Sequence, residues 1–471
     1  MGNHLPKGWV ETDLDTVIER MSNGSSLKQH EQFFEGALPI SRIETIADGT
    51  IDFNRVKYVE ANESEIEKYE LLDGDILFSH INSDKHLGKT AFFHNEDTLL
   101  HGINLLLLRS SKVVNSEFIY LVLRDLRYSG KFIEVAQRSV NQSSINQKKL
   151  KAFRIPLPPR AEQDRIVTKV DALMAQHTAI QQAMERIPQL LKDFKQQVLT
   201  QAVTGKLTEE WRVGKELEDS ESFISDILKR RKVENPKFKI PDNVNPEDFP
   251  FDQPETWSFA FLQTFGEFTR GKSKHRPRND ERLFGDQYPF IQTGAVSKVD
   301  LITEADKYLS EFGLKQSRLF PKGTLCITIA ANIAETAILD IDCCFPDSVV
   351  GYLPFEDLYS AKFAMFYLRT IQKELEQYAP ATAQKNINLG ILFKVPFPVP
   401  PFQEQQEIVR RVESLFEKAT AIEQRYEKLK TQIDTLPQSI LHKAFKGELV
   451  EQLDSDGSAL ELLKEIESLK K

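Results

Sequence analysis

Ile166, Val170, Leu173, His177, Ile180, Met184, Ile187, Leu191, Phe194 and Val198 follow one another at alternating steps of four and three, and only His177 interrupts the apolar run. The same spacing returns at an offset of 242 residues as Ile408, Val412, Leu415, Ala419, Ile422, Tyr426, Leu429, Ile433, Leu436 and Ile440. A stripe of period 3.5 is the seam of a coiled coil and needs a second helix along it. Two matched stripes in one chain predict two long helices that pair with each other, separated by enough sequence to form a whole domain.

The repeat extends past the stripes. Pro158, Pro159, Glu162, Gln163, Ile166 and Val167 recur as Pro400, Pro401, Glu404, Gln405, Ile408 and Val409. Proline fits the first helical turn and biases the residue before it away from helix, so each pair marks a strand-to-helix corner. At the far end Ala202-Val203-Thr204-Gly205-Lys206-Leu207 matches Ala444-Phe445-Lys446-Gly447-Glu448-Leu449, and each glycine reads as a helix C-cap. Corner and cap bound a helix of about 43 residues, or roughly 65 Å, with Pro188 and Pro437 as points of kink or interruption. His177 is expected to pair with a carboxylate, to set the helix register, or to lie at the edge of the seam.

A β-rich region precedes each helix, and the two regions match more loosely. Pro6-Lys7-Gly8-Trp9 and Pro254-Glu255-Thr256-Trp257 open them. Leu72-Asp73-Gly74-Asp75-Ile76-Leu77-Phe78 parallels Phe320-Pro321-Lys322-Gly323-Thr324-Leu325-Cys326, a turn that feeds a buried strand. Phe118 to Arg124 and Phe363 to Arg369 read as short helices, and Ile145-Asn146 and Ile387-Asn388 precede the last strand of each region. The predicted class is therefore α+β, with two similar mixed domains, two long helices that pair as a coiled coil, and an internal duplication. Its boundaries are a domain over 1–157, a helix over 158–205, a connector with one short helix over 206–250, a second domain over 251–399, a helix over 400–447 and a helical tail over 448–471.

A net charge of -9 argues against a protein that coats nucleic acid over its whole surface, while leaving room for a local basic patch. Cys326, Cys343 and Cys344 cannot form a disulfide framework and have no metal-ligand spacing, so they read as buried thiols. No window approaches 18 uninterrupted apolar residues, and the amino end lacks a basic-then-apolar signal, so a cytoplasmic location is expected.

The order of domain, proline pair, Glu-Gln and a long helix ending Ala-Val-Thr-Gly-Lys-Leu-Thr, then the same again ending Ala-Phe-Lys-Gly-Glu-Leu, resembles the specificity subunit of Type I restriction-modification enzymes. That resemblance covers nearly the whole chain. It implies two target recognition domains on double-stranded DNA, an antiparallel helix pair, and no chemistry in the subunit itself. It further implies that methyltransferase subunits, two of them expected, dock on it and methylate adenine N6 with S-adenosylmethionine. Restriction-translocase subunits would cut unmodified DNA with ATP and Mg. No cofactor, metal or membrane is expected to bind this chain.

Candidate DNA-reading residues fall into matched segments. Arg270, Lys272, Lys274, His275, Arg276 and Arg278 form a basic loop with no acid before Asp280, suited to phosphates. The corresponding stretch of the first domain supplies Asn23, Ser26 and Lys28. Amide, hydroxyl and basic groups that suit base edges come as Arg42 with Gln292 and Thr293, and as His80, Asn82, Lys85 and Lys89 with Asn332. A third set pairs Gln142, Ser143 and Asn146 with Gln384, Lys385 and Asn388. Each could equally cap a turn or a strand end.

Enzymatic readings are weak. Ser83-Asp84-Lys85-His86-Leu87-Gly88-Lys89-Thr90 lacks the first glycine of a phosphate-binding loop, and Ala91-Phe92-Phe93-His94 reads as strand where that loop needs helix. Val399-Pro400-Pro401-Phe402 has valine where an adenine methyltransferase motif needs a polar residue. The remaining alternative is a coiled-coil scaffold whose two domains bind proteins.

Overall fold

The computed structural model describes residues 5–470 except 48, 95–96, 140–141, 298, 331, 356–360 and 378–385. Contacts divide it into two units, one of residues 1–185 with 427–471 and one of residues 186–426. No helix among the described residues is long and apolar enough to cross a membrane.

In the first unit the strand Val10–Asp13 pairs antiparallel with Arg154–Leu157, which brings the two ends of the domain together beside the proline corner. Between them runs a four-stranded antiparallel sheet in the order Ile18–Asn23, Leu106–Ser110, Ile76–Phe78, Thr90–Phe92. Side chains alternate across a strand, and the apolar run Leu105 to Leu108 uses both faces. Leu106 and Leu108 join a core with Phe118, Ile166, Val170 and Ile440, whereas Leu105 and Leu107 join a second with Leu77, Ala91 and Phe93.

The second unit repeats this plan. Ser258–Phe261 pairs with Pro396–Val399, and a five-stranded sheet runs Gly266–Arg270, Val349–Pro354, Leu325–Thr328, Thr336–Leu339, Leu301–Ile302. Leu325 and Ile327 face the helix-bearing core with Val198, Ile408 and Val412, while Cys326 faces a core on the other side with Phe345 and Ile291. The turns that feed the two central strands need a left-handed residue, which Gly74 (φ 86°) and Gly323 (φ 87°) supply. All three cysteines are buried and unpaired, and burial pushes the Cys343 thiol up to about 12.

The helices at Ser116–Tyr128 and Ala361–Thr370 lie where the sequence places them. Ile145-Asn146 and Ile387-Asn388 precede the last strand of each domain, with a five-residue helix between, over Gln147–Lys151 and Leu389–Phe393. Asn146 and Asn388 cap these helices, each accepting a backbone N–H three residues on.

The first long helix is split, running over Arg160–Glu185 and then Ile187–Val203, whereas the second is continuous over Phe402–Phe445. Pro188 sits in the first turn of the second segment and accounts for the break. Pro437 does not interrupt its helix, although its missing N–H leaves the carbonyl of Ile433 without its usual donor. His177 fills that place, with Nε2 2.9 Å from the Ile433 oxygen. A carbonyl only accepts, so Nε2 carries the proton. Within each unit the paired helices are antiparallel: Ile166 shares a core with Ile440 and Leu441, and His177 meets Ile433. In the second unit Val198 and Leu199 share one with Ile408 and Val412. Burial along the seam is uneven, with Leu191 and Ala419 buried. Ile180, Phe194, Ile422 and Leu429 in its middle are 37 to 52% exposed.

Residues 206–250 are more than a connector. The helix Ser220–Glu234 buries Phe223 and Ile227 in the second unit's core, and buried Arg231 donates to the carbonyls of Gln263 and Thr264. The tail helix Ala459–Leu469 does the same in the first unit through Ala459, Leu462 and Ile466.

Candidate nucleic-acid interface

The strand Gly266–Arg270 delivers the basic loop of the second unit. Gly271 lies so close to the segment 345–349 that a Cβ there would stand 2.2 Å from the Pro346 carbonyl oxygen. Its N–H donates to Val349, and that of Lys272 donates to Phe345. Two carboxylates order the cations. Asp347 accepts Arg278 at 3.1 Å, and its backbone carbonyl accepts Arg270 at 2.5 Å. Asp280 takes His275 and Arg282, both at 2.7 Å, and these partners hold its carboxyl far below the usual carboxylate range. Arg276 donates to the carbonyls of Ser273 and His275. Lys272 and Lys274 have no side-chain partner in a hydrogen bond or ion pair among the described residues.

This loop forms one wall of a cleft of about 750 Å³ in the second unit. Lys272, His275 and Arg278 line one side of it, and Gln292 and Thr293, at the start of the helix Thr293–Val296, line another. Two segments chosen separately from the sequence thus meet, one cationic and one carrying amide and hydroxyl groups. Asn279, Lys307 and Gln316 share the cleft and were missed. Lys307 enters because its strand pairs with Phe284–Phe290, with Lys307 opposite Phe290, a pairing without a local sequence signal. Arg270, Lys274 and Arg276 belong to the loop without lining the cleft. Asn332 is exposed in a turn elsewhere, where its backbone carbonyl accepts the Thr328 hydroxyl. Asn388 spends its side-chain oxygen on a helix cap, and Gln384 and Lys385 lie outside the described residues.

In the first unit two candidate segments meet on a small three-stranded sheet, Ile81–Asn82 beside Gln142–Ser144, with Gln137–Ser139 on the far side of the latter. Ser143 lies opposite Asn82, and the Ile145 N–H donates to the His80 carbonyl at 2.9 Å. Asp84 accepts the Ser143 hydroxyl and stands 3.8 Å from Arg138, a cation the sequence reading overlooked. Gln147 reaches Asn23 at 3.3 Å, which ties the first polar loop to this patch. Gln142 and Asn23 are exposed, and burial pushes the His80 imidazole below its ordinary value, so it presents a neutral hydrogen-bonding ring. Ser26 and Lys28 are exposed on the loop that continues from Asn23, and Lys85 is exposed beyond Asp84. Arg42 is half-buried and pairs with Glu44 at 3.4 Å. Lys89 is half-buried, and Asn146 holds its cap. The two patches differ in charge as well as sequence: the second is a cationic cleft, the first a polar sheet face.

The motif residues that repeat between the halves do not face these patches. They build one joint in each unit. Trp9 Nε1 donates to Glu162 at 2.9 Å, and Trp257 Nε1 to Glu404 at 2.9 Å. Gln163 donates to the Pro158 carbonyl and Gln405 to that of Pro400. The segment after the opposite helix's glycine completes each joint: Gln452 contacts Glu162 at 3.3 Å, while Thr208 and Arg212 bind Glu404. Gly447 and Gly205 adopt φ of 72° and 76°, and a Cβ on them would strike Pro6 at 2.2 Å and Pro254 at 2.6 Å.

The sequence model of the Type I restriction modification DNA specificity domain matches this chain twice, over residues 6–189 and 254–431. The chain belongs to that family. It is 29% identical over 418 residues to the putative type I restriction enzyme MjaX specificity subunit of Methanocaldococcus jannaschii, covering 87% of each chain. It is 26% identical over 486 residues to the type I restriction enzyme EcoKI specificity subunit of Escherichia coli, covering 98% of this chain and 96% of the relative. The fold is that of the HsdS subunit from Thermoanaerobacter tengcongensis, with a TM-score of 0.61 at 19% identity over 94% of this chain and 98% of that one.

Proposed function

We propose that this chain is the noncatalytic DNA-reading subunit of a Type I restriction-modification complex and that each unit reads one half of a bipartite target. The observation that carries this reading is the second unit's cleft, where unpaired Lys272 and clamped Arg278 stand with Gln292 and Thr293. Cations fix register on phosphates, and amide and hydroxyl groups discriminate base edges. The first unit offers Asn23, Asn82 and Gln142 for the same work with less positive charge, while buried Ser143 gives its hydroxyl to Asp84. Because the two patches differ, the half-sites differ and the target is asymmetric. The paired helices set the unread gap between half-sites and carry the docking surface for two methyltransferase subunits. Those partners supply adenine N6 methylation with S-adenosylmethionine, and restriction subunits supply ATP- and Mg-dependent cleavage in the cytoplasm.

Mapping N6-methyladenine across the genome of a host that expresses this chain with its methyltransferase subunits tests the reading. The expected result is one motif of two unlike half-sites separated by a fixed gap. Methylation without a bipartite motif would overturn it.

A further inference from the structure

Two of the cations in the basic loop are held by one residue. Asp347 binds the Arg278 guanidinium through both carboxylate oxygens, at 3.1 and 3.3 Å, and the Arg270 guanidinium through its backbone carbonyl at 2.5 Å. The residue lies in the turn before the strand Val349–Pro354, and its neighbours Pro346 and Ser348 line the cleft. Asp347 itself does not line the cleft; its carboxylate reaches the cleft's cationic wall through Arg278, which does. The ion pair is accessible, with side-chain exposures of 57% for Arg278 and 37% for Asp347. Exposed pairs of this kind are weak, so a competing anion can displace one partner at little cost. A phosphate offers the same forked acceptor geometry as a carboxylate. Asp280 is different: five bonds from Arg282 and His275 anchor it, and its side chain is only 14% exposed.

We infer that Asp347 is a specificity-determining residue that occupies the place of a DNA phosphate on Arg278 and screens the cleft against non-target duplex. On non-target DNA the carboxylate stays on Arg278, so that cation contributes nothing and the acid repels the backbone. On the target, base contacts from Gln292 and Thr293 bring the duplex close enough for phosphate to replace carboxylate. The exchange is between two anions on one guanidinium and changes no covalent bond. Asp347 thus lowers affinity for all DNA and lowers it more for the wrong DNA, which is how discrimination arises by repulsion.

This inference rests on the cleft's being the DNA site, and the test separates the two. The full chain in complex with its methyltransferase subunits is titrated with a duplex carrying the mapped target and with a duplex of equal length lacking it, across a range of salt. Asp347→Asn keeps the backbone carbonyl for Arg270 and a side-chain acceptor for Arg278 while removing the charge. The variant is expected to bind the non-target duplex about three- to ten-fold more tightly, with the salt slope steeper by about 1, one added phosphate contact. Target affinity changes less, so the ratio of target to non-target affinity falls. Unchanged or weaker non-target binding by Asp347→Asn overturns the inference, because the acid then serves only to position the arginines. Lys272→Ala with Lys274→Ala provides the control. If that pair leaves DNA binding and its salt slope untouched, the cleft is not the DNA site and the reading beneath the inference fails instead.

Discussion

At the scale of single residues, the basic loop separates cations by what already holds them. Lys272 and Lys274 need displace no partner to meet a phosphate, whereas Arg270, Arg276 and Arg278 begin with acceptors. Replacing both lysines by alanine is expected to weaken binding to every duplex and to reduce the salt slope by about 1.8, at about 0.9 per contact. An unchanged slope in a salt titration would place those lysines off the backbone. The joints make a different demand. Burial pushes the Glu162 carboxyl above its ordinary value despite bonds from Trp9 and Gln452. A raised acid stabilises the folded state below the ordinary glutamate value, and that contribution is lost as pH rises through the folded value. Glu162→Gln keeps an acceptor for Trp9 and does not titrate, so its melting temperature relative to the natural chain is expected to rise as pH rises above the ordinary glutamate value and through the raised one. A pH-independent difference would show that the carboxyl ionises without penalty. The sequence pointed to Glu162 and Glu404 by their repetition at one offset, but their role could not be read there. Repetition says that a residue matters twice without saying whether it faces DNA or a tryptophan.

At the scale of elements, the stripes located both helices to within a few residues, because a 3.5-residue period and a capping glycine are local signals. What they could not reveal is where the seam is covered. Ile180 and Ile422 occupy seam positions by spacing and remain 43% and 52% exposed, since burial depends on what packs beside them. The prolines were equally ambiguous on paper, for Pro188 breaks its helix and Pro437 does not. At Pro437 a side chain 260 residues away, that of His177, supplies the Ile433 carbonyl with the donor that the proline lacks. His177→Ala is expected to cost about 1 to 3 kcal/mol by leaving the Ile433 carbonyl unpaired. Pro437→Ala restores a backbone donor at that carbonyl, so the double variant should lose less than the two single losses added together. A thermal-melting double-mutant cycle checks this, and strict additivity would mean that the two sites do not share the carbonyl. The cleft was the least legible feature. Lys272 and Gln292 could be nominated from their own segments, but their meeting depends on the pairing of Phe284–Phe290 with Lys307–Leu309 and Cys343–Cys344.

At the scale of the whole molecule, the proposed spacing role of the helices has a direct test. Adding seven residues to each helix lengthens the pair by about 10 Å, or about three base pairs of duplex. Methylation mapping is expected to return both half-sites unchanged with the gap longer by about that amount. Altered half-sites with an unchanged gap would remove the helices from the spacing role. The division of the chain also bears on its birth. The second unit is one continuous stretch, residues 186–426, whereas the first waits for residues 427–471 to supply half of its helix pair, Gly447 and Gln452. Domains fold as units during synthesis, usually from the amino end. Here that sequence is reversed: the unit that leaves the ribosome first is completed last, and its joint at Glu162 stays open until the second unit has its full chain. Chains truncated after residue 426 and exposed to protease should therefore show a protected second unit and a cleavable first one.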